Sequence, residues 1–169
     1  MDLRLRPYRV DDEAAARAGN DIMKHDDFMF LLYFDPEAPW ADFLRGEDDR
    51  RRGENLEPNQ VRSVQLVAEV DGQLVGRTSI RFELNDFLES RGGHIGYGVL
   101  PPFRRLGYAK EILRQSLDII RVDGVQRVLM FCDDGNAGSA AVIESIGGQL
   151  EGVITVEPDK PGFRKYWID

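Results

Sequence analysis

The sequence predicts one α+β domain over residues 1–169, with a mixed, mostly antiparallel central sheet of about seven strands flanked by helices. Three observations predict it. Two short runs of alternating apolar residues meet at Asp71-Gly72, the dipeptide best suited to a tight β-hairpin. Ala109, Ile112, Leu113, Leu117 and Ile120 recur at three- and four-residue spacings, which makes one stripe of a helix between two strand-like runs. The order of patterns is β, helices, β-β, β, α, β, α, β, β, and only strand–helix–strand units can join parallel neighbours.

The elements follow in order. Leu3 and Leu5 alternate with Arg4 and Arg6 as in a half-buried strand, ended by Pro7. The Asp11-Asp12-Glu13 cluster supplies acids for the first turn of an alanine-rich helix running to about Lys24. Residues 28–58 are aromatic and then heavily charged, broken by Pro36, Pro39, Gly46, Gly53 and Pro58, and are expected to form short helices and a mobile loop. Within them, Arg45 to Glu57 mixes four arginines with five carboxylates, the composition of a solvated face or loop. Residues 62–84 form the hairpin, and a turn region containing Asn85, Asp86 and Arg91-Gly92-Gly93 leads to a strand from His94 to Leu100, stopped by Pro101-Pro102. A helix starts near Gly107. Val125 to Cys132 is an apolar strand, Ala137 to Ile146 a short helix ended by Gly147-Gly148, and Leu150 to Val156 and Phe163 to Ile168 are the last strands.

Composition narrows the function. Apolar residues make up 42% and charged residues 31%, as in an ordinary folded globule. The longest apolar run, Phe28 to Phe34, has seven residues, whereas a bilayer span takes about 20; no membrane partner is expected, and the charged N-terminus gives no secretion signal, which makes a cytoplasmic protein the expectation. Cys132 stands alone and the two histidines, His25 and His94, lie far apart in sequence, so no metal is expected. The net charge of −8 repels phosphate backbones and argues against nucleic acid. Residues 1–60 hold 9 basic and 15 acidic residues, net −6, which favours a cationic ligand.

The segment that carries chemistry is Val99 to Lys110, V-L-P-P-F-R-R-L-G-Y-A-K. A strand stops at two prolines and a short turn enters a long helix, whose first amides lack internal partners and whose dipole is positive there. Arg104, Arg105 and Lys110 add cations with no acid among them, while Gly107 and Ala109 permit close approach. The turn can hold a diphosphate; a plain solvated surface turn is the alternative.

At these residues the chain resembles the GNAT superfamily of acyl-CoA-dependent N-acetyltransferases. Arg104-Arg105-Leu106-Gly107-Tyr108-Ala109 fits its pyrophosphate pattern Q/R-x-x-G-x-G/A, and Val99-Leu100-Pro101 fits its V-x-P strand end. Asn136 and Ser139, opening the helix that reaches Gly147-Gly148, look like its second cofactor-contacting segment. The G-G-H-I-G-Y-G strand and the terminal K-Y-W-I are similar to a bacterial branch of predicted acetyltransferases. The resemblance implies acetyl-CoA as cosubstrate, held by Val99, Leu100, Arg104, Arg105, Leu106, Gly107, Tyr108, Ala109, Asn136 and Ser139. It also implies a splayed parallel pair between strands 93–100 and 125–132, with the thioester pointing under residues 26–60, and transfer to a primary amine of a small or basic acceptor.

Transfer needs a neutral amine, an oxyanion stabiliser and a proton for the thiolate. His94 stands near the family's base position, though it could equally cap its strand. Where many members carry a tyrosine acid, seven residues after Asn136, this chain has Ile143; either the thiolate leaves without help, which its low basicity permits, or Tyr166 or Tyr97 serves instead, unless both only pack. The oxyanion donor is expected as a backbone N–H near Val99 or Leu100, at a bulged strand end. Glu69, Glu83, Asp133 and Asp134 are further polar candidates, and Cys132 is expected to be an inert wall residue. Tyr166 and Trp167, on an expected edge strand, could pair with a second copy as a homodimer. Two other readings stand beside this one: an acyl-CoA-binding module without turnover, and a nucleotide-binding domain of another kind.

Overall fold

The computed structural model describes residues 2–169. The expected order of elements is present, with one helix added. Strand β1 (Arg4–Arg6) is followed by a 3-10 turn and helix α1 (Glu13–Met23), then helix α2 (Trp40–Arg52). Strands β2 (Ser63–Val70) and β3 (Gln73–Arg81) form the hairpin; Asp71 and Gly72 both have positive φ, 49° and 76°, as its two-residue turn demands. Helix α3 (Asp86–Arg91) occupies the region where a turn is expected, because the Asn85 side chain caps it by accepting from the Leu88 amide. Strand β4 (Ile95–Val99), helix α4 (Tyr108–Val122), strand β5 (Val128–Asp133), helix α5 (Ala137–Glu144) and strands β6 (Gln149–Ile154) and β7 (Phe163–Ile168) complete the chain.

Residues 28–58 depart from the expectation of short helices and loop: α2 is one helix of 13 residues. Trp40 and Phe43 stack at 4.6 Å, and Tyr8 and Phe34 meet them edge-on, so the helix is held by an aromatic cluster. Its charges satisfy one another on the outer face, as in the Arg51–Asp48, Arg52–Asp49 and Arg45–Asp42 pairs.

The seven strands make two sheets rather than one continuous sheet. β1-β2-β3-β4 is antiparallel throughout, and so is β5-β7-β6. They separate at β4 and β5, where the splay was expected. Only the beginning of the joint is bonded: the His94 amide donates to Leu129 O at 2.7 Å and the Leu129 amide donates to His94 Nδ1 at 2.8 Å. Gly93 permits this seam, since its φ is 66° and a Cβ there would lie 2.5 Å from Leu129 O. β7 sits between β5 and β6, so Tyr166 and Trp167 do not lie on an edge strand as expected; the outer strand of that sheet is β6. Among the described residues no helix is long and apolar enough to cross a membrane.

The two faces of the first sheet divide the labour. Thr78, Ile80, Ile95 and Val99 face α4, where Ile112, Leu113, Leu117 and Ile120 are buried against them, and Ser116 Oγ donates to Thr78 Oγ1 at 2.9 Å. Arg77, Ser79 and Arg81 of β3, with Gly96 and Gly98 of β4, face the other way, toward Phe28 and the end of α1.

Candidate active site

After Val99 the two prolines close a 3-10 turn, and the chain enters α4 at Tyr108. Arg105 and Gly107 both take left-handed backbone, φ 65° and 84°, which curls the intervening amides to one side. Among the described residues the N–H groups of Arg105, Leu106 and Gly107 donate to no protein acceptor, and those of Tyr108 and Ala109 lie in the first turn of the helix, where no carbonyl precedes them. Gly107 is the N-cap and supplies no capping side chain. Five successive free amides therefore stand at the positive end of a 15-residue helix, a cradle fit for a diphosphate.

The three cations expected there divide. Arg104 Nε donates to Val99 O at 3.1 Å and its Nη2 to Asp26, so it braces the turn against β4 and the end of α1, its charge already met by a carboxylate. Arg105 and Lys110 are exposed beside the free amides. Leu106 is exposed, and Tyr108 and Ala109 pack against the cluster around Val99 and Ile112.

The wedge between the sheets begins at the same place. The β3–β4 ladder passes through His94 and Leu100, whose amide donates to Val75 O at 2.9 Å, with no shift in register between them. The N–H groups of Tyr97 and Val99 therefore face the open side. Of the two amides expected for an oxyanion, Leu100's is spent and Val99's is open, without the bulge anticipated at this strand end. Across the wedge Asn136 caps α5, its Oδ1 accepting from the Ser139 amide at 3.0 Å, and Ser139 Oγ lies 3.0 Å from the Tyr97 hydroxyl. Burial pushes the Tyr97 phenol up to about 12, so it is neutral and able to donate.

The other candidates fall elsewhere. His94 is buried with Nδ1 occupied by the Leu129 amide; burial and the neighbouring Arg81 lower its pKa. Tyr166 is fully buried and donates to Glu144 Oε1 at 2.8 Å, and Ile143 is buried in the core. Glu69 is paired with Arg6, Asp134 with Arg164, and Glu83 is exposed. Cys132 is a buried wall residue, its thiol pKa pushed up by burial.

On the face of β4 away from α4 opens a cavity of about 260 Å³. β3 contributes Arg77, Ser79 and Arg81, β4 contributes Ile95 and Gly96, and β5 contributes Phe131, Cys132 and Asp133. Phe28, Phe163 and, from α3, Phe87 and Arg91 complete the wall. Among the described residues Asp133, a sequence candidate, is its one carboxylate. None of the three arginines is a candidate in the sequence analysis, where Arg91 appears only within a turn region. Arg77, Ser79 and Arg81 at every second position, with no acid among them, were the available signal. Among the described residues no carboxylate of residues 1–60 lines this cavity, though Glu47 acts on Arg77 from behind it.

A family model described as "Acetyltransferase (GNAT) domain" matches residues 2–149. No curated protein sequence matches the chain. Among solved structures the chain is similar to Mycobacterium smegmatis RimJ in complex with CoA-disulfide, at 23% identity and TM-score 0.72, covering 98% of this chain and 81% of that one. An acetyltransferase from Salmonella typhimurium that modifies the N-terminal serine of ribosomal protein L7/L12 shares 18% identity at TM-score 0.68, covering 99% and 95%. Vibrio cholerae spermidine N-acetyltransferase, in complex with CoA and spermine, shares 16% at TM-score 0.66, covering 98% and 94%.

Proposed function

The chain belongs to the GNAT acetyltransferase family, and from that premise we propose that it transfers the acetyl group of acetyl-CoA to a primary amine. The observation that carries this reading is the row of free amides from Arg105 to Ala109 at the mouth of a wedge between two sheets. Acetyl-CoA supplies the activated acyl group. The amides, with Arg105 and Lys110, hold its diphosphate; Tyr97 and Val99 present a strand edge to its arm; and Asn136 and Ser139 border the far side. The amine approaches from the cavity on the opposite face of β4. A nitrogen–carbon bond forms as the carbon–sulfur bond breaks; the nitrogen gives its surplus proton to solvent in the open cavity, and the Tyr97 hydroxyl gives the thiolate a proton and regains one from solvent. The structural relatives act on a protein N-terminus in one instance and a polyamine in another.

The test is release of free thiol from acetyl-CoA across a panel of amines. Turnover above background is expected, and Tyr97→Phe should lower kcat by about 100-fold while leaving coenzyme A affinity in place. Cofactor binding with no turnover on any amine would support a binding module instead, the reading that the apolar Ile143 favours.

A further inference from the structure

The cavity is lined mainly by cations and aromatic rings. Three guanidiniums line it against one carboxylate, and none of the three forms an ion pair with Asp133 among the described residues. Arg77 is fixed by neutral acceptors alone: Nε donates to Phe30 O at 2.9 Å, Nη1 to Ser79 Oγ at 3.2 Å and to Gly96 O at 3.1 Å, and Nη2 to Met29 O. Its charge is positioned without being cancelled. Arg81 lies four residues along the same face of β3, and among the described residues its side chain makes no hydrogen bond and no ion pair. Burial lowers both, and the adjacent Arg81 helps bring Arg77 to about 10, which leaves Arg77 charged at neutral pH. A buried Arg77 and a half-buried Arg81, neither in an ion pair among the described residues, are costly side by side, and an anion between them lowers the cost.

The place for that anion is also built. A methyl group on Gly96 would lie 3.3 Å from Ser79 Oγ, 3.6 Å from Arg81 Nη1 and 3.9 Å from Arg77 Nη1. Glycine leaves this corner empty where any other residue would fill it.

Resting on the transfer reading above, we propose that the acceptor is an amino-acid-type molecule, a primary amine that also carries a carboxylate, and that Arg81, with the charge of Arg77 beside it, holds this carboxylate in the corner above Gly96. The free planar fork of Arg81 suits a carboxylate's two oxygens, while Arg77, both of whose Nη1 hydrogens go to Ser79 Oγ and Gly96 O, adds its charge. Asp133 on the same wall offers the amine end a partner of opposite sign, and Phe87, Phe131 and Phe163 receive an apolar side chain. A polyamine would set its second ammonium against the arginines.

The experiment compares phenylalanine with phenylalaninamide and phenethylamine, adds spermidine, and includes aspartyl-phenylalaninamide to separate a free main-chain carboxylate from an acidic peptide side chain. All are assayed by thiol release with acetyl-CoA. Carboxylate-bearing amines should exceed their neutral partners by about 10- to 100-fold in kcat/KM, chiefly through KM. Arg81→Gln should erase that advantage, and Gly96→Ala should erase it by filling the corner without altering charge. Equal use of phenethylamine or spermidine sinks the proposal and leaves acetyl transfer standing. So does an Arg81→Gln loss in kcat that is the same for every amine, since the guanidinium then acts on the thioester. If nothing is acetylated, calorimetry with N-acetylphenylalanine and its amide decides: binding of the acid alone, lost in Arg81→Gln, upholds the corner, and no binding overturns it.

Discussion

His94 has a residue type that promises chemistry and a placement that gives it a different task. Its Nδ1 accepts the Leu129 amide while its own amide donates to Leu129 O, so one residue supplies the whole bonded joint between β4 and β5 at that point. Accepting through Nδ1 requires the neutral ring. Burial lowers the folded-state pKa below the unfolded value of about 6.5. Above that pH the ring is neutral in both states and the joint contributes in full. As pH falls, the unfolded chain takes up a proton that the folded protein resists, and the contribution is lost as pH drops through the folded-state pKa. His94→Asn places an oxygen acceptor near the Nδ1 position without a titrating group, so its thermal midpoint should fall less between about pH 6.5 and 5 than that of the unaltered protein. His94→Leu leaves the Leu129 amide buried and unpaired, with an expected loss of about 1–3 kcal/mol at neutral pH by urea denaturation. Turnover in His94→Asn should stay within about tenfold of the parent. A much larger fall with coenzyme A affinity intact would restore the histidine to the role of base that its position in the sequence invites.

Among the elements, the turn between β4 and α4 was legible because its signals are local: two prolines, a glycine and a helical stripe within a few residues. The aim of Arg104 was not, since its partner Asp26 lies 78 residues earlier in the chain. α2 was obscured because Glu47 and Arg50 occupy positions on its inner face, where apolar residues would have shown the period; Glu47 is held there by Arg50 and Gln65. α3 buries only Leu88, too little for a pattern. Two substitutions test the elements that matter. Gly107→Asp puts a carboxylate in left-handed backbone among the free amides, and its repulsion of a diphosphate should weaken coenzyme A binding by about 10- to 100-fold in a calorimetric titration. Unchanged affinity would remove the turn from the site. Gly93→Ala combines a φ of 66° with a Cβ 2.5 Å from Leu129 O, so it should cost about 2 kcal/mol or more, read as a lower denaturation midpoint with an unchanged slope.

At the scale of the molecule, the strand count and order could be read from periodicity, but the division into two sheets rests on hydrogen bonds that β4 and β5 do not make. That absence has no residue pattern of its own; only the resemblance foretold it. The protein itself bonds the β4–β5 edge at His94 and Leu129, and packs α4 and α5 behind it. A ligand anchored at residues 105–109 with an arm running between Val99 and Ser139 would tie the sheets together further along. Coenzyme A at about 100 times its dissociation constant should therefore add about 2.7 kcal/mol, which for a chain of this size raises the unfolding midpoint by about 5–10 °C. ATP brings phosphates to the cradle but no arm to the wedge, and its effect at the same concentration should be much smaller. If ATP matches coenzyme A degree for degree, the wedge contributes nothing to binding, and the turn belongs to a nucleotide site rather than to an acetyltransferase.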